Sequence, residues 1–289
     1  MPAMQRVKVT EFTDPGCPFA FSAEPARWRI LWRYGDHLDW SRHMVVLSHS
    51  PEDFTDRGYD TPQLAAGMRN LQRLHRMPID ARERPRMVAT EPACLAVVAT
   101  RLHAPVLEPV ILRELRVLAM AGHLLDEPAT LERAATASGI VADDLLAWMA
   151  TPEVEAELEA DMAIARAPSL AAFVLSARLA RTETGHRYTC PSYAFDAECG
   201  RFEVPGFRPV EAYEVVLANM APELPLRETP TDVAEVLTWA ATPLATAEIA
   251  AVCRMEFEHA REDLARVGAL NPVGGDGYWT VAEAMPLAA

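Results

Sequence analysis

The stretch Asp14-Pro15-Gly16-Cys17-Pro18-Phe19-Ala20 constrains this chain more than any other part of it. The apolar, β-branched run Val7-Lys8-Val9-Thr10-Glu11-Phe12 reads as a strand, and a Pro-Gly turn ends it. Pro18 then suits the first turn of a helix predicted to run to about Tyr34, with Trp28, Ile30, Leu31 and Trp32 on or near its core face. Cys17 therefore sits at a predicted helix N-terminus. There, unpaired backbone N–H groups and the positive end of the helix dipole lower a thiol pKa and raise the fraction of reactive thiolate. A buried, inert cysteine is the alternative, since free cysteines are among the most buried residue types.

Leu38 to Leu47 reads as a second strand, and His49 after it either faces the site or caps a loop. From Thr61 to about Ala180 the pattern changes to helical periods with no convincing strand, and Thr61-Pro62, Ala104-Pro105 and Thr151-Pro152 open helices. So long a stretch is an inserted helical subdomain and not a loop. Its apolar stripe Met68, Leu71, Leu74 and Met77 reads as core packing, while Arg113 and Arg116 either reach a substrate or face solvent, the commoner place for helix arginines. Gly185 to Phe195 is an extended run containing Pro191, and a proline normally demotes a strand because it removes a ladder donor. A turn at Ala197-Glu198-Cys199-Gly200 leads to Phe202–Phe207, and a last helix of this part starts near Pro209. Pro222, Pro225 and Pro230 mark a linker. Helices over Asp232–Ala240, Ala245–Cys253 and Glu256–Val267, with a hairpin over Asn271–Val281, then predict a small winged-helix-like module.

The 289 residues are half hydrophobic, which predicts a soluble globular chain with one large domain or two, and no window is apolar for long enough to span a bilayer. Met1 to Phe12 lacks the charged start and apolar core of a leader peptide, so a cytoplasmic location is expected. Cys17, Cys94, Cys190, Cys199 and Cys253 are odd in number and widely scattered, which fits neither a secreted disulfide framework nor zinc-ligand spacing, so no metal is expected. The net charge is −14. From Pro225 onward four arginines and no lysine face ten Asp and Glu, so nucleic acid and anionic membrane are poor partners. That module is expected to dock on the rest of the chain or on a second subunit, as in a homodimer.

Glu11-Phe12-Thr13-Asp14-Pro15-Gly16-Cys17-Pro18-Phe19 resembles the DsbA-like branch of the thioredoxin superfamily, especially its FrnE and 2-hydroxychromene-2-carboxylate isomerase-like members. Arg113-Glu114-Leu115-Arg116 through Gly139-Ile140, and the closing run Val204-Pro205-Gly206-Phe207-Arg208-Pro209-Val210-Glu211, are similar to the same branch. The resemblance implies an α/β chain: a thioredoxin fold over residues 1–60 and 181–221, a large inserted helical subdomain over 61–180, and the winged-helix-like module over 222–289. It also implies that Pro191 is a cis-proline opposite Cys17, that Cys190 lies against Cys17, and that Glu11 is a buried acid able to relay protons. Read from the strand alone, Glu11 is equally a strand-edge carboxylate in water. Pro18, Phe19 and Thr189 are implied on the substrate side. One departure matters: dithiol members carry a second cysteine where this chain has Ala20, and a lone thiol cannot release itself from a mixed disulfide. Cys190 is then either the displaced resolving thiol or a small residue in a tight corner, and two thiols alone would make a poor soft-metal site.

Three functions follow. The first is a monothiol oxidoreductase acting on a protein disulfide or small-thiol substrate, with no tightly bound cofactor and a low-molecular-weight thiol as co-substrate. The second is a thiol-cofactor-dependent isomerase or transferase, like the kappa-class glutathione transferases and hydroxychromene carboxylate isomerases, in which Cys17 is incidental. The third is a non-catalytic scaffold.

Overall fold

A four-stranded mixed sheet positions everything else. The computed structural model describes residues 6–282, in which β1 (Val7–Thr13) leads through a turn at Pro15-Gly16 into α1 (Pro18–Ser22), α2 (Glu24–Tyr34) and β2 (Leu38–Met44). Met1–Gln5, where no leader was expected, and Glu283–Ala289, the end of the predicted C-terminal module, lie outside the described residues. The single helix predicted to Tyr34 is thus two. Pro25 has no N–H for the Phe21 carbonyl, so the ladder breaks at Ala23, whose N–H is shared between the carbonyls of Phe19 and Ala20. β1 runs parallel to β2 in the register Val7 to Leu38 through Thr13 to Met44. The second strand ends short of the predicted Leu47 because the chain turns at Val46, whose φ of 54° is left-handed and strained for a β-branched residue.

The insertion is helical: α3 (Glu52–Asp56), α4 (Thr61–His75), α5 (Glu91–His103), α6 (Glu108–Met120), α7 (Pro128–Ala137), α8 (Ala142–Met149), α9 (Pro152–Ala165) and α10 (Leu170–Phe173). Prolines occupy the first turns of α4, α5, α6, α7 and α9, where a missing N–H costs nothing. Pro105 opens only a 3₁₀ turn, and α6 starts at Glu108. Small residues of α5, such as Ala93, Ala96 and Ala99, are fully buried and let its neighbours approach closely. The predicted stripe is only half core, since Leu71 on α4 and Met77 just beyond its end are buried but Leu74 is 55% exposed.

The insertion also ends in a hairpin that the sequence did not announce, β3 (Leu179–Thr182) against β4 (Gly185–Tyr188). The run from Gly185 to Phe195 is therefore two strands in two sheets. β5 (Ser192–Ala197) pairs antiparallel with β1 and with β6 (Gly200–Val204), giving the order β2-β1-β5-β6, and α11 (Val210–Met220) follows. This is the thioredoxin-type sheet, with the large helical insertion between its halves.

The C-terminal segment comprises α12 (Val233–Ala240), β7 (Leu244–Ala245), α13 (Thr246–Cys253), α14 (Phe257–Val267), β8 (Gly268–Val273) and β9 (Asp276–Val281), its strands ordered β7-β9-β8. It shares its core with α2: Trp28 and Trp32 pack among Val236, Ile249, Leu264 and Trp279. The proline-rich linker is held down too, with the Arg227 guanidinium 3.4 Å above the Trp32 ring and the Trp32 indole N–H donating to the Glu228 carbonyl at 2.7 Å. The other side of α2, through Ile30 and Tyr34, packs on the sheet with Val7, Phe195 and Leu217. No described helix is long and apolar enough to cross a membrane.

Between α2, β1, β2, α6 and α13 lies a fully buried ionic network of four carboxylates and four guanidiniums. Arg116 bonds Glu11 at 2.7 Å and also Glu24 and Thr13; Arg113 joins Glu248 at 2.5 Å to Glu24 at 3.4 Å; Arg27 bonds Glu24, and Arg42 bonds Glu108 at 3.0 Å and lies 3.6 Å from Glu11. The solvent-facing reading of Arg113 and Arg116 is wrong, as Arg116 is 1% exposed. Their spacing of three residues stacks them on one face of α6, and that face is turned inward.

Candidate active site

Cys17 is the N-cap of α1 and only 4% exposed. It packs with Phe12, Ala20, Val45, Ala165, Tyr188 and Cys190, and the Phe12 ring stacks on Tyr188 with centroids 4.0 Å apart. The Cys190–Pro191 peptide bond, which precedes β5, is cis, and the Cys190 carbonyl oxygen accepts from the Cys17 thiol at 3.4 Å. A side-chain hydrogen bond from Cys190 is the main influence drawing the Cys17 pKa below that of an ordinary thiol; burial opposes it, backbone N–H groups of Ala20 and Phe19 assist, and the Asp14 carboxylate resists. Burial, and then the proximity of Cys17, push Cys190 well up. The two thiols are thus pushed in opposite directions, Cys17 down and Cys190 up. All five cysteines are free thiols.

Asp14 builds the turn that presents Cys17. Its carboxylate accepts the Gly16 N–H at 2.7 Å, the Leu47 N–H at 2.8 Å and the Thr90 hydroxyl at 2.7 Å, with the Cys94 thiol at 3.5 Å. Burial and the nearby Asp14 charge drive Cys94 well above the thiol range, so it stays protonated. Gly16 is enclosed: a Cβ there would meet the Thr90 methyl at 2.6 Å. The same contacts on the Leu47 N–H hold the strained Val46 in place. Sequence reasoning assigned Asp14 and Thr90 no role. An aspartate directly before Pro-Gly was the available signal for Asp14, because that residue type closes such turns.

Of the expected site residues, Cys17, Cys190 and Pro191 come together. Phe19 is 48% exposed and stands beside them, and Pro18 lines an apolar cavity of about 150 Å³ with Gly16, Leu47, Met68 and Leu125. Glu11 does not join them. It is 1% exposed, which excludes the water-facing reading, and bonds Arg116 on the face of β1 opposite Phe12. The carboxylate acting on Cys17 is Asp14. Thr189 spends its hydroxyl proton on the Arg178 carbonyl at 2.8 Å, which ties the strand entry down. His49 faces Glu91 at 3.0 Å and caps its loop by donating its N–H to Asp53.

No protein-family model matches the chain, and no curated protein matches its sequence. Solved structures do. A candidate protein disulfide isomerase from Nitrosomonas europaea superposes with a TM-score of 0.57 at 18% identity, over 74% of this chain and 97% of that one. A probable DsbA oxidoreductase from Streptomyces coelicolor gives 0.54 at 17%, over 78% and 95%. The cytosolic disulfide reductase DsbM from Pseudomonas aeruginosa gives 0.53 at 16%, over 74% and 100%. This chain thus has a DsbA-like thioredoxin fold and is longer than the fold it shares with them.

Proposed function

We propose that this chain is a DsbA-type thiol–disulfide oxidoreductase working through one nucleophile, Cys17. The observation that carries the reading is the placement of Cys17 at a helix N-cap, with its sulfur 3.4 Å from the Cys190 carbonyl at the Cys190–Pro191 entry to β5. The Cys17 thiolate attacks a mixed disulfide between a protein and a small thiol, forming a Cys17–small-thiol disulfide and releasing the protein thiolate, which takes up a proton. A second small thiolate then attacks the small-thiol sulfur, leaving as a small-molecule disulfide and returning Cys17 as thiolate. One small thiol supplies the electrons that reduce the protein sulfur. Cys190 donates its hydrogen bond to the Cys17 thiolate, Pro191 aligns the incoming disulfide, and Pro18 and Phe19 border its approach. DsbM, whose structure is known with GSH, supports a small-thiol co-substrate and a cytoplasmic setting.

A second reading draws on the apolar cavity beside Gly16 and Pro18, which suits the hydrophobic half of an isomerase or transferase substrate. The decisive experiment is Cys17→Ser in a mixed-disulfide reduction assay with added small thiol. Loss of turnover is expected; turnover retained in that variant would transfer the chemistry to a bound thiol and overturn the first reading. We further read the C-terminal segment as a winged-helix-like docking module, acidic and spent on contacts with α2 and α6, with no role in binding nucleic acid.

A further inference from the structure

On the far side of Leu47 from the apolar cavity lies a cleft of about 520 Å³, a size typical of small-molecule sites. Arg166, at the end of α9, and Arg181 and Arg187, on the β3–β4 hairpin, all line it. The hydrogen bonds of Arg166 and Arg187 go to backbone carbonyls, Met162 at 3.3 Å and Tyr188 at 2.9 Å. Among the described residues no carboxylate pairs with any of the three, although Asp53, Asp56 and Glu183 share the cleft. Arg57, the fourth arginine, is spent on the carbonyls of Asp53 and Leu47. Arg166 and Arg187 line the same cleft, where their like charges are not neutralised by an ion pair among the described residues. The cleft borders the reactive centre through Leu47, which lines it and packs against the buried cluster that holds Cys17 together with Ala165 and Tyr188, the neighbours in sequence of these two arginines.

We propose that this cleft is a carboxylate subsite, and that the small thiol exchanging with Cys17 is an acidic one whose carboxylate is held by Arg166 and Arg187. The inference rests on the exchange chemistry proposed above and names its substrate class. Guanidiniums left unpaired beside one another are relieved by a bidentate carboxylate, and a ligand anchored there extends its sulfur past Leu47 toward Cys17.

The test uses 3,3′-dithiodipropionic acid and its dimethyl ester, two disulfides that differ in charge at the same distance from sulfur. The rate of adduct formation at Cys17 is followed by peptide mass spectrometry. Wild-type protein is expected to react at least about tenfold faster with the acid than with the ester, as a charge-assisted hydrogen bond predicts, with the ratio shrinking as salt rises. The ratio is expected to fall toward one in Arg166→Gln/Arg187→Gln and to be partly kept in Arg166→Lys/Arg187→Lys. Equal rates in wild type, or a preference that survives both glutamines, overturn the subsite while leaving the exchange reaction intact. No adduct with either disulfide overturns both.

Discussion

The Cys17 sulfur lies 3.4 Å from the carbonyl oxygen of Cys190, a residue 173 positions away in sequence. The sheet closes that distance: β1 delivers Cys17 and β5, its antiparallel neighbour, is entered through Cys190-Pro191. The nucleophile and the residue facing it therefore keep their relation for as long as these two strands stay paired.

Alkylation of Cys17 by a small reagent should be half-maximal at a pH below the roughly 8.5 of a free thiol. The exposed Cys199 serves as the internal reference in the same protein. Peptide-resolved rates against pH measure both. A Cys17 midpoint at or above that of Cys199 would sink the activation argument.

Replacing Cys190 tests the donor. Cys190→Ala is expected to raise the Cys17 pKa, since it removes the hydrogen bond that most lowers it, whereas Cys190→Ser keeps an O–H donor and most of the effect. Mild oxidation of wild type should yield mixed disulfides on Cys17. A Cys17–Cys190 disulfide in the peptide map would instead make Cys190 a resolving thiol.

Gly16→Ala places a methyl carbon against Thr90 and disturbs the Asp14 turn. The thermal stability should drop and the alkylation midpoint of Cys17 should drift, because the same turn fixes its sulfur. An unchanged midpoint would mean that the facing Cys190-Pro191 segment, and not the turn, sets thiol reactivity.

The strand–turn–cysteine segment was legible because it is a local pattern, alternation and then a Pro-Gly break, whereas Pro191 read locally argued against a strand and was placed only through the resemblance to the DsbA-like branch. The ionic network was not legible. Arg116 meets Glu11 across 105 residues, and nothing local distinguishes it from an arginine in solvent. The β3–β4 hairpin escaped because strands of four residues carry too little periodicity to outweigh the helical pattern before them. The break at Ala23 was readable in Pro25, yet the apolar spacing on either side outweighed it.

Arg116→Met should destabilise the fold by roughly 3–5 kcal/mol, since it takes from buried Glu11 its hydrogen-bonded guanidinium and from Glu24 one of three. Acid should act on the same network. Burial raises the Glu24 pKa, but Arg27, Arg116 and Arg113 overcome that and hold it at about 2. An unfolded Glu titrates near roughly 4.3, so the unfolded chain binds the proton first. The contribution of Glu24 is thus complete above that pH and is lost as pH falls toward 2. Denaturant midpoints against pH, wild type beside Glu24→Gln, measure it; parallel curves would contradict the assignment.

Truncation before Thr229 removes Glu248 from Arg113 and uncovers Trp28 and Trp32. The shortened chain is expected to lose solubility or aggregate. A well-behaved monomer with unaltered Cys17 reactivity would show that the module is dispensable.

Arg113 must wait for Glu248, which leaves the ribosome 135 residues after it. The order of synthesis therefore delays the interior of the earlier parts: α2 has its aromatic flank bare, and α6 keeps a cation without its main partner, until α13 emerges. The buried face that α2 and α6 share with α13 is therefore the last part of the interior to close, whereas the groups around Cys17 are all supplied before residue 200.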